Sequence, residues 1–506
     1  MKNDFYNSKQ TVYFVPAFFL FFYLLLPTQN STVDALNYAA DIKWNIMLFS
    51  SHHLLYNAFG YVLYHFCQHL GWEIAALPLM KIANAIFAAL NLIVLNKILV
   101  LLTTSLSKRI SLLFFVGSSF AVMRFATENE TYVIPIFFSL IANFYLIKYL
   151  NGSPKSSYVV ISGVWAAMAC LFHQIHFFWW LGILISFLLF TENNRSKLFT
   201  YYVLTALIVP IIYLVVIKFY THQSLSIENI THYVFRDYYT GTAHTEITSL
   251  NFTFTIINFF RTFFQVHGLM FFVFKKGSIY VLPAMVSFLL VTYSFYSLSR
   301  FKLSSIFSIS SRPVFYSQLI VLILHFSFAF YSVGNSEFMV MIPFQICILI
   351  ACFITIKTIP VMAVSLAFLI WNFSYGVFPN YYYDFTGNRK LAVYAEKNPD
   401  CYFIFQNKEE LESEVFYEER KTLYNLWPQP SHLELANTDT LTELITNACQ
   451  NGKTIITDCY DNGTRFNRRG LIAGEANYLF FKNYTLTPFD SIETFYGKHK
   501  LYRITM

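Results

Sequence analysis

Charge is scarce: Asp, Glu, Lys and Arg make up 12% of the 506 residues, against roughly 25% in a soluble domain. With 56% hydrophobic residues and a mean hydropathy of +0.47, a water-soluble globular chain is excluded. No GxGxxG or GxxxxGK[ST] run occurs, so neither a dinucleotide fold nor a P-loop has support. No CxxC occurs either. Cys67, Cys170, Cys347 and Cys352 lie in or beside apolar stretches as small hydrophobes. Cys401, Cys449 and Cys459 lie in a polar tail, where an oxidising compartment would allow one pair and leave a thiol over. The apolar stretches lack period-2 alternation, which excludes a membrane barrel. Internal repeats are not visible, which weighs against a transporter of duplicated halves. The net charge of +7 comes without a compact basic and aromatic surface, so no nucleic acid partner is expected.

What is present in quantity is aromatic and apolar. The 57 Phe and 36 Tyr suit helices that end in interfacial belts, and the class that follows is a polytopic α-helical membrane protein. A first apolar stretch, 11–27, follows Lys2 and Lys9 and has no small-residue cleavage site, so it is expected to be a retained helix that starts inside. Further stretches run over 74–103, 110–125, 131–149, 157–173, 175–191, 198–217, 251–273, 279–298, 314–331, 338–356 and 359–375, most near the roughly 20 residues a bilayer demands. The stretch 54–68 is shorter, and His65, Gln68 and His69 mark it as a surface or re-entrant helix. Lys108 with Arg109, Lys148 with Lys155, and Arg195 with Lys197 mark inner turns. Lys275 and Lys276 fit a simple span from 251. Alternatively, Arg261, Gln265 and His267 make that segment partly interfacial, which moves Arg300, Lys302 and Arg312 inward.

The composition changes near residue 376. Residues 1–375 read as the transmembrane module, with outer loops 29–73 and 218–250, and 376–506 as a small soluble α/β domain. Strands are predicted at LAVYAE (391–396), CYFIF (401–405), TIITDCY (454–460) and KLYRITM (500–506), helices at 408–421 and 438–448, and a turn at Asp461, Asn462 and Gly463.

Five polar groups interrupt the hydrocarbon. Between Ser31 and Asn57, Asp34 and Asp41 stand seven residues apart, nearly two helical turns, so both share one face if 33–47 is helical. Paired carboxylates serve as general base, metal ligand or substrate clamp; the plain alternative is a pair of caps and solvated loop residues. His52 and His53 open the following segment, as phosphate partners or interfacial anchors, and Tyr38, Trp44 and Tyr56 offer flat surfaces for sugar. In ATENETY, Glu128 and Glu130 follow Arg124, as substrate contacts or as a structural ion pair. FHQIHFF places His173, Gln174 and His176 at a helix junction, lining a cavity or closing a tight turn; HxxH alone is weak as a metal motif. The loop 218–250 carries His222, His232, Arg236, Asp237 and His244, as a functional loop or a solvated connection, with Arg236 suited to bidentate pairing with a phosphate or a carboxylate. Asn335 and Glu337 precede another span, and Glu337 either lines a cavity or favours a helix N-terminus.

A first outward helix, Asp34 in a D-x-x-x-Y-A setting, HHLLY (52–56) and the acidic ENETY patch together resemble the GT-C superfamily of polyprenyl-phosphate-sugar-dependent membrane glycosyltransferases. In layout the protein O-mannosyltransferase and aminoarabinose transferase branches are similar. Leu54 stands where the H-P-L-Y segment has proline, and the adjacent Asp-Glu pair of some branches is absent. The resemblance implies a GT-C-like body of 11 to 13 transmembrane helices, an odd total with the tail and active site on the periplasmic face of a bacterial inner membrane. It implies Asp34 as the catalytic aspartate and a polyprenyl-phosphate-linked sugar as donor. The acceptor would be a hydroxyl of a protein, lipid or lipid-linked glycan. A cation must offset charge on the departing phosphate; His52, His53 and Arg236 are the candidates, with Lys43 behind them. No cofactor is expected; some relatives use a divalent metal, which here could only be assembled from Asp34, Asp41, Glu130 and Glu337. The rivals are a surface-polysaccharide polymerase or ligase, a lipid-linked glycan flippase or transporter, and a non-catalytic scaffold.

Overall fold

The computed structural model describes residues 12–152, 154–191, 194–240, 246–266, 269–299, 311–353, 357–430, 435–460 and 475–505. His244, His267, Arg300, Lys302 and the turn at Asp461–Gly463 lie outside them. Two compact units result. The first comprises residues 1–27, 45–269 and 273–378; the second comprises 28–44, 270–272 and 379–506. The helix Val33–Trp44 therefore groups with the C-terminal part rather than with the segments that flank it.

The first unit is helical, and the chain is a multi-pass membrane protein. Among the described residues six helices are long and apolar enough to span: Ala76–Leu102, Val133–Leu150, Arg195–Phe219, Ser278–Ser299, Arg312–Tyr331 and Thr358–Tyr382. A seventh is the pair Leu106–Gly117 and Phe120–Ala126, bent by 64°. The bend has a local cause: the Ser118 and Ser119 hydroxyls donate to the carbonyls of Phe114 (2.6 Å) and Phe115 (2.7 Å), and serine bonding back onto its own helix bends it. Shorter apolar helices among the described residues are Phe14–Leu25, Ser156–Phe172, Gln174–Phe190 and Ser336–Ala351. The run 251–273 is divided, with helices Ser249–Phe263 and Leu269–Lys276 on either side of a break.

Polar side chains lock the bundle from within. Asn143 and Gln318 exchange amide hydrogen bonds of 2.9 and 2.8 Å, and Asn372 donates to the carbonyls of Ser118 and Phe263 at 2.8 Å each. In hydrocarbon such groups have no water to turn to, so they pair between helices. Gly163 allows close approach: a Cβ there would fall 2.1 Å from Thr205 Oγ1. Outward faces are apolar, as Phe288 (70% exposed) and Phe295 (69%) show on the helix Val281–Ser299, which is what lipid contact requires.

The helix Tyr56–His69 buries Tyr56, Asn57, Gly60, Tyr64 and Cys67 on one side. Val62 and Phe66 project from the other at 67% and 58% exposure, the pattern of an interfacial helix.

The second unit is built on a five-stranded sheet of order β2-β1-β3-β5-β4. Its strands are β1 (Cys401–Ile404), β2 (Leu426–Trp427), β3 (Thr454–Thr457), β4 (Thr485–Thr494) and β5 (Gly497–Thr505). β1 pairs parallel with β2 and β3, and β5 runs antiparallel to β3 and β4. LAVYAE, expected as a strand, is helical within Asn388–Lys397. Leu391, Ala392 and Ala395 are buried together there, a helical spacing that the β-formers Val393 and Tyr394 obscure. The edge strand β4 was missed because Pro488 interrupts it, at a register shift between Pro488 and Asp490. All seven cysteines are free, which removes the disulfide allowed for the tail. Cys459 is buried against the Ile404 carbonyl, and burial raises its thiol pKa well above the ordinary value.

Candidate active site

At one end of the helical unit, the loop after Asn45 is tied down by tyrosines from later helices. Tyr220 donates to the Ile46 carbonyl at 2.5 Å, Tyr233 donates to Phe49 at 2.7 Å, and Tyr213 donates to Ser51. Gln174 completes the anchor, with its amide NH2 reaching Ser51 O (3.0 Å) and its backbone N–H reaching His52 O (2.8 Å). These bonds explain the polar FHQIHFF junction: Gln174 holds the loop, and His173, extended at φ −160°, ends the helix Ser156–Phe172.

Three imidazoles meet there. The His52 and His53 rings lie 4.3 Å apart, and His173 lies 6.4 Å from His52. Burial holds the His53 pKa well below the ordinary value, and His52 and His173 lower it further. A neutral His53 offers a hydrogen bond rather than a charge. His52 is more open and lies 3.3 Å from Asp237 Oδ2. Tyr132 packs 5.0 Å from His173 and donates to Glu337 Oε2 at 2.8 Å, which brings Glu337 to this end of the unit. Asn335 Oδ1 accepts the Glu337 backbone N–H at 3.0 Å, and the preceding Gly334, with φ of +65° and a 2.3 Å approach of its Cβ position to the Thr255 nitrogen, leaves no room for a side chain.

Beside the imidazoles lies an ionic core. Glu128 is fully buried; its Oε2 lies 3.1 Å from Arg124 Nη1 and its Oε1 lies 3.6 Å from Lys81 Nζ. Oε1 also accepts the Asn129 backbone N–H at 2.9 Å. Asn84, one turn from Lys81, donates to the carbonyls of Glu128 (2.7 Å) and Glu130 (2.9 Å). Tyr56 donates to Asn129 Oδ1 at 2.8 Å and so links HHLLY to ENETY. Glu130 is buried in the same turn. Lys81, Asn84 and Asn129 join this core without having stood among the polar groups that the sequence singles out. Lys81 had a signal, a charge near the start of a 27-residue apolar helix, and charges in spans are expensive and functional.

His176 stands deeper, its Nδ1 2.7 Å from Ser139 Oγ and its ring 6.1 Å from His325. Arg236 is exposed in the short helix Arg236–Tyr239.

Asp34, Asp41 and Lys43 belong to the second unit. The helix Val33–Trp44 places Asp34, exposed, in its first turn and Asp41 seven residues on, while Ala35, Leu36, Ala39, Ala40 and Ile42 are buried. Lys43 Nζ donates to the carbonyls of Tyr417 and Glu418 at 2.9 Å each, at the end of the helix Lys408–Glu419, where a cation meets the negative pole of the dipole. Among the described residues no three His, Cys, Asp or Glu side chains form a group able to hold a metal ion.

No protein-family model matches the chain, and no curated protein is similar to it in sequence. Solved structures are similar in fold. ArnT from Cupriavidus metallidurans, bound to undecaprenyl phosphate, superposes with a TM-score of 0.52 at 12% identity, over 97% of each chain. The arabinofuranosyltransferase AftD from Mycobacteria matches with a TM-score of 0.51 at 11% identity, over 98% of this chain and 40% of AftD. Both are GT-C glycosyltransferases, and the fold of this chain is theirs.

Proposed function

We propose that this protein is a glycosyltransferase that moves a hexosyl or pentosyl group from a polyprenyl phosphate to a hydroxyl of a protein, lipid or lipid-linked glycan. The observation that carries it is the buried Glu128 between Lys81 and Arg124, beside His52, His53 and His173, at one end of a bundle with the GT-C fold. Two cations against one carboxylate suit a site that receives the phosphodiester of the donor and offsets the second charge of the monoester that departs.

Asp34 takes the acceptor hydroxyl proton as general base. The hydroxyl oxygen then attacks the anomeric carbon as its bond to the phosphate oxygen breaks, and the polyprenyl phosphate departs with that electron pair. One base and one displacement give inversion. Lys81 and Arg124 join Arg236 as groups that offset the charge of the leaving phosphate, with His53 as a neutral hydrogen-bond partner. The step needs no metal. The shorter apolar helices are proposed to cross as well, for an odd total of 11 to 13 spans in a bacterial inner membrane, with site and tail on the periplasmic face.

The test supplies purified protein with a panel of polyprenyl-phosphate sugars and measures released polyprenyl phosphate. Wild type should turn over at least one donor and Asp34→Asn should not. Undiminished turnover by the variant would remove Asp34 from the mechanism.

A further inference from the structure

A cavity of about 410 Å³ lies at the other end of the helical unit. The helices Val133–Leu150, Ser156–Phe172 and Phe177–Phe190 each have one end beside Tyr132, His173 or His176 and the other at this cavity, which Leu150, Ser156 and Phe190 line. At 1.5 Å per residue such helices rise about 20 to 27 Å, so the cavity and the imidazole cluster stand most of a bilayer core apart.

Three independent features give the cavity a preference for an anion. Two helices begin there, Ser156–Phe172 and Arg195–Ala206, and neither N-cap residue, Lys155 or Asn194, makes a side-chain cap bond. Their first-turn N–H groups thus lack the usual side-chain acceptor. Thr191 lines the cavity at 6% exposure, and its hydroxyl has no hydrogen-bond partner among the described residues. Lys197 also lines it, and Lys148, Lys155 and Arg195 are close in sequence to its walls. Among the described residues none of these four cations forms an ion pair with a carboxylate; Lys148 and Lys155 lie over the ring of Tyr158, Lys197 lies 5.5 Å from the centre of the Tyr201 ring, and Arg195 Nε donates to the Thr191 carbonyl at 2.7 Å.

The rest of the lining mixes polar Tyr149, Ser156 and Asn194 with apolar Leu150, Pro154, Phe190 and Leu198. Phe190 and Leu198 form walls, and the neighbouring Leu189 and Phe199 are 58% and 42% exposed on the outside of the bundle. A free phosphate would leave these surfaces unused, whereas a phospholipid would fill the polar cavity with its headgroup and cover the outer surface with its acyl chains.

We propose that this cavity is a binding site for the phosphate of an anionic membrane phospholipid, on the face opposite the candidate active site. Lys197 and the two helix N-termini receive the phosphate, and the Thr191 hydroxyl donates to it. The site stands whether or not the sugar-transfer reaction does, since it rests on other residues at the other face.

The test is native mass spectrometry on the full-length protein after delipidation, titrated separately with phosphatidylglycerol, phosphatidylcholine and inorganic phosphate. Wild type should hold one phosphatidylglycerol roughly fivefold to tenfold more tightly than phosphatidylcholine. The double variant Lys197→Ala, Thr191→Val should lose that preference, Lys197→Arg should keep it, and Lys97→Ala, an exposed lysine outside the cavity, should not alter it. Equal binding of both lipids, an unchanged preference in the double variant, or displacement of the lipid by inorganic phosphate at comparable concentration overturns the proposal. Should the double variant fail to fold, loss of preference in Lys197→Ala with retention in Lys197→Arg decides the same point.

Discussion

Lys81 Nζ lies 3.6 Å from Glu128 Oε1, and both side chains are almost wholly removed from solvent. An ion pair so placed contributes little net stability, yet losing one partner strands a charge. Glu128→Ala should therefore lower the stability of the detergent-solubilised protein by about 3 to 5 kcal/mol, read as a large drop in melting temperature. The triple variant Lys81→Met, Arg124→Met, Glu128→Leu should recover most of that loss. If the cations also receive the donor phosphate, the recovered protein will still fail to bind polyprenyl phosphate. Recovered folding with wild-type binding would confine Lys81 and Arg124 to a structural part.

Asp34→Asn separates chemistry from binding. Asparagine keeps the size and polarity of the side chain and leaves the buried face of the helix Val33–Trp44 in place, so the variant should fold, which its melting temperature checks. Turnover should fall by roughly 10² to 10⁴, the range general-base catalysis supplies, while donor KM moves little. A rise in KM with kcat preserved would make Asp34 a binding group instead.

Burial keeps His53 and His173 neutral in the folded protein, with pKa values well below 6.5. The unfolded chain takes up these protons first as pH falls, so the associated stability is complete above about pH 6.5 and is lost as pH drops toward the folded-state values. Melting temperature should decline from pH 7 to pH 5, and the slope should flatten in His53→Gln. An identical slope in that variant assigns the acid sensitivity to other groups.

Much of this architecture was legible because long apolar runs leave a chain few options: 74–103, 131–149 and 314–331 reappear within a few residues as Ala76–Leu102, Val133–Leu150 and Arg312–Tyr331. Breaks were harder to see. Ser118 and Ser119 bend a continuous apolar run through hydroxyl-to-carbonyl bonds, which no hydropathy window registers. In the site, His52, His53, His173, Glu128, Glu130 and Glu337 stood out as polar residues at span ends, and the structure gathers them at one end of the unit. Lys81 did not, because its partner Glu128 is 47 residues away and their contact is purely tertiary. The grouping of the helix Val33–Trp44 with residues 379–506 was invisible for the same reason: Lys43 and Trp44 bond carbonyls of residues 416–418.

The His499 ring is held at both nitrogens: Nε2 lies 2.8 Å from Asp458 Oδ2 and Nδ1 lies 3.2 Å from the Thr386 carbonyl. Asp458 follows β3, and its Oδ1 accepts the Gln406 backbone N–H at 2.9 Å just beyond β1. The pair therefore ties two parallel strands to β5 and to the segment that enters the domain, at 2% and 1% exposure. His499→Ala leaves the Asp458 carboxylate buried without its imidazole, and should cost about 3 to 5 kcal/mol. The loss should fall on the second unit. Hydrogen exchange should rise in β3 and β5 while amides of Ala76–Leu102 and Val133–Leu150 stay protected, because the buried polar bonds that lock those helices do not involve the sheet. Exchange that rises equally in both units would mean that they unfold as one, and would assign His499 to the stability of the whole chain.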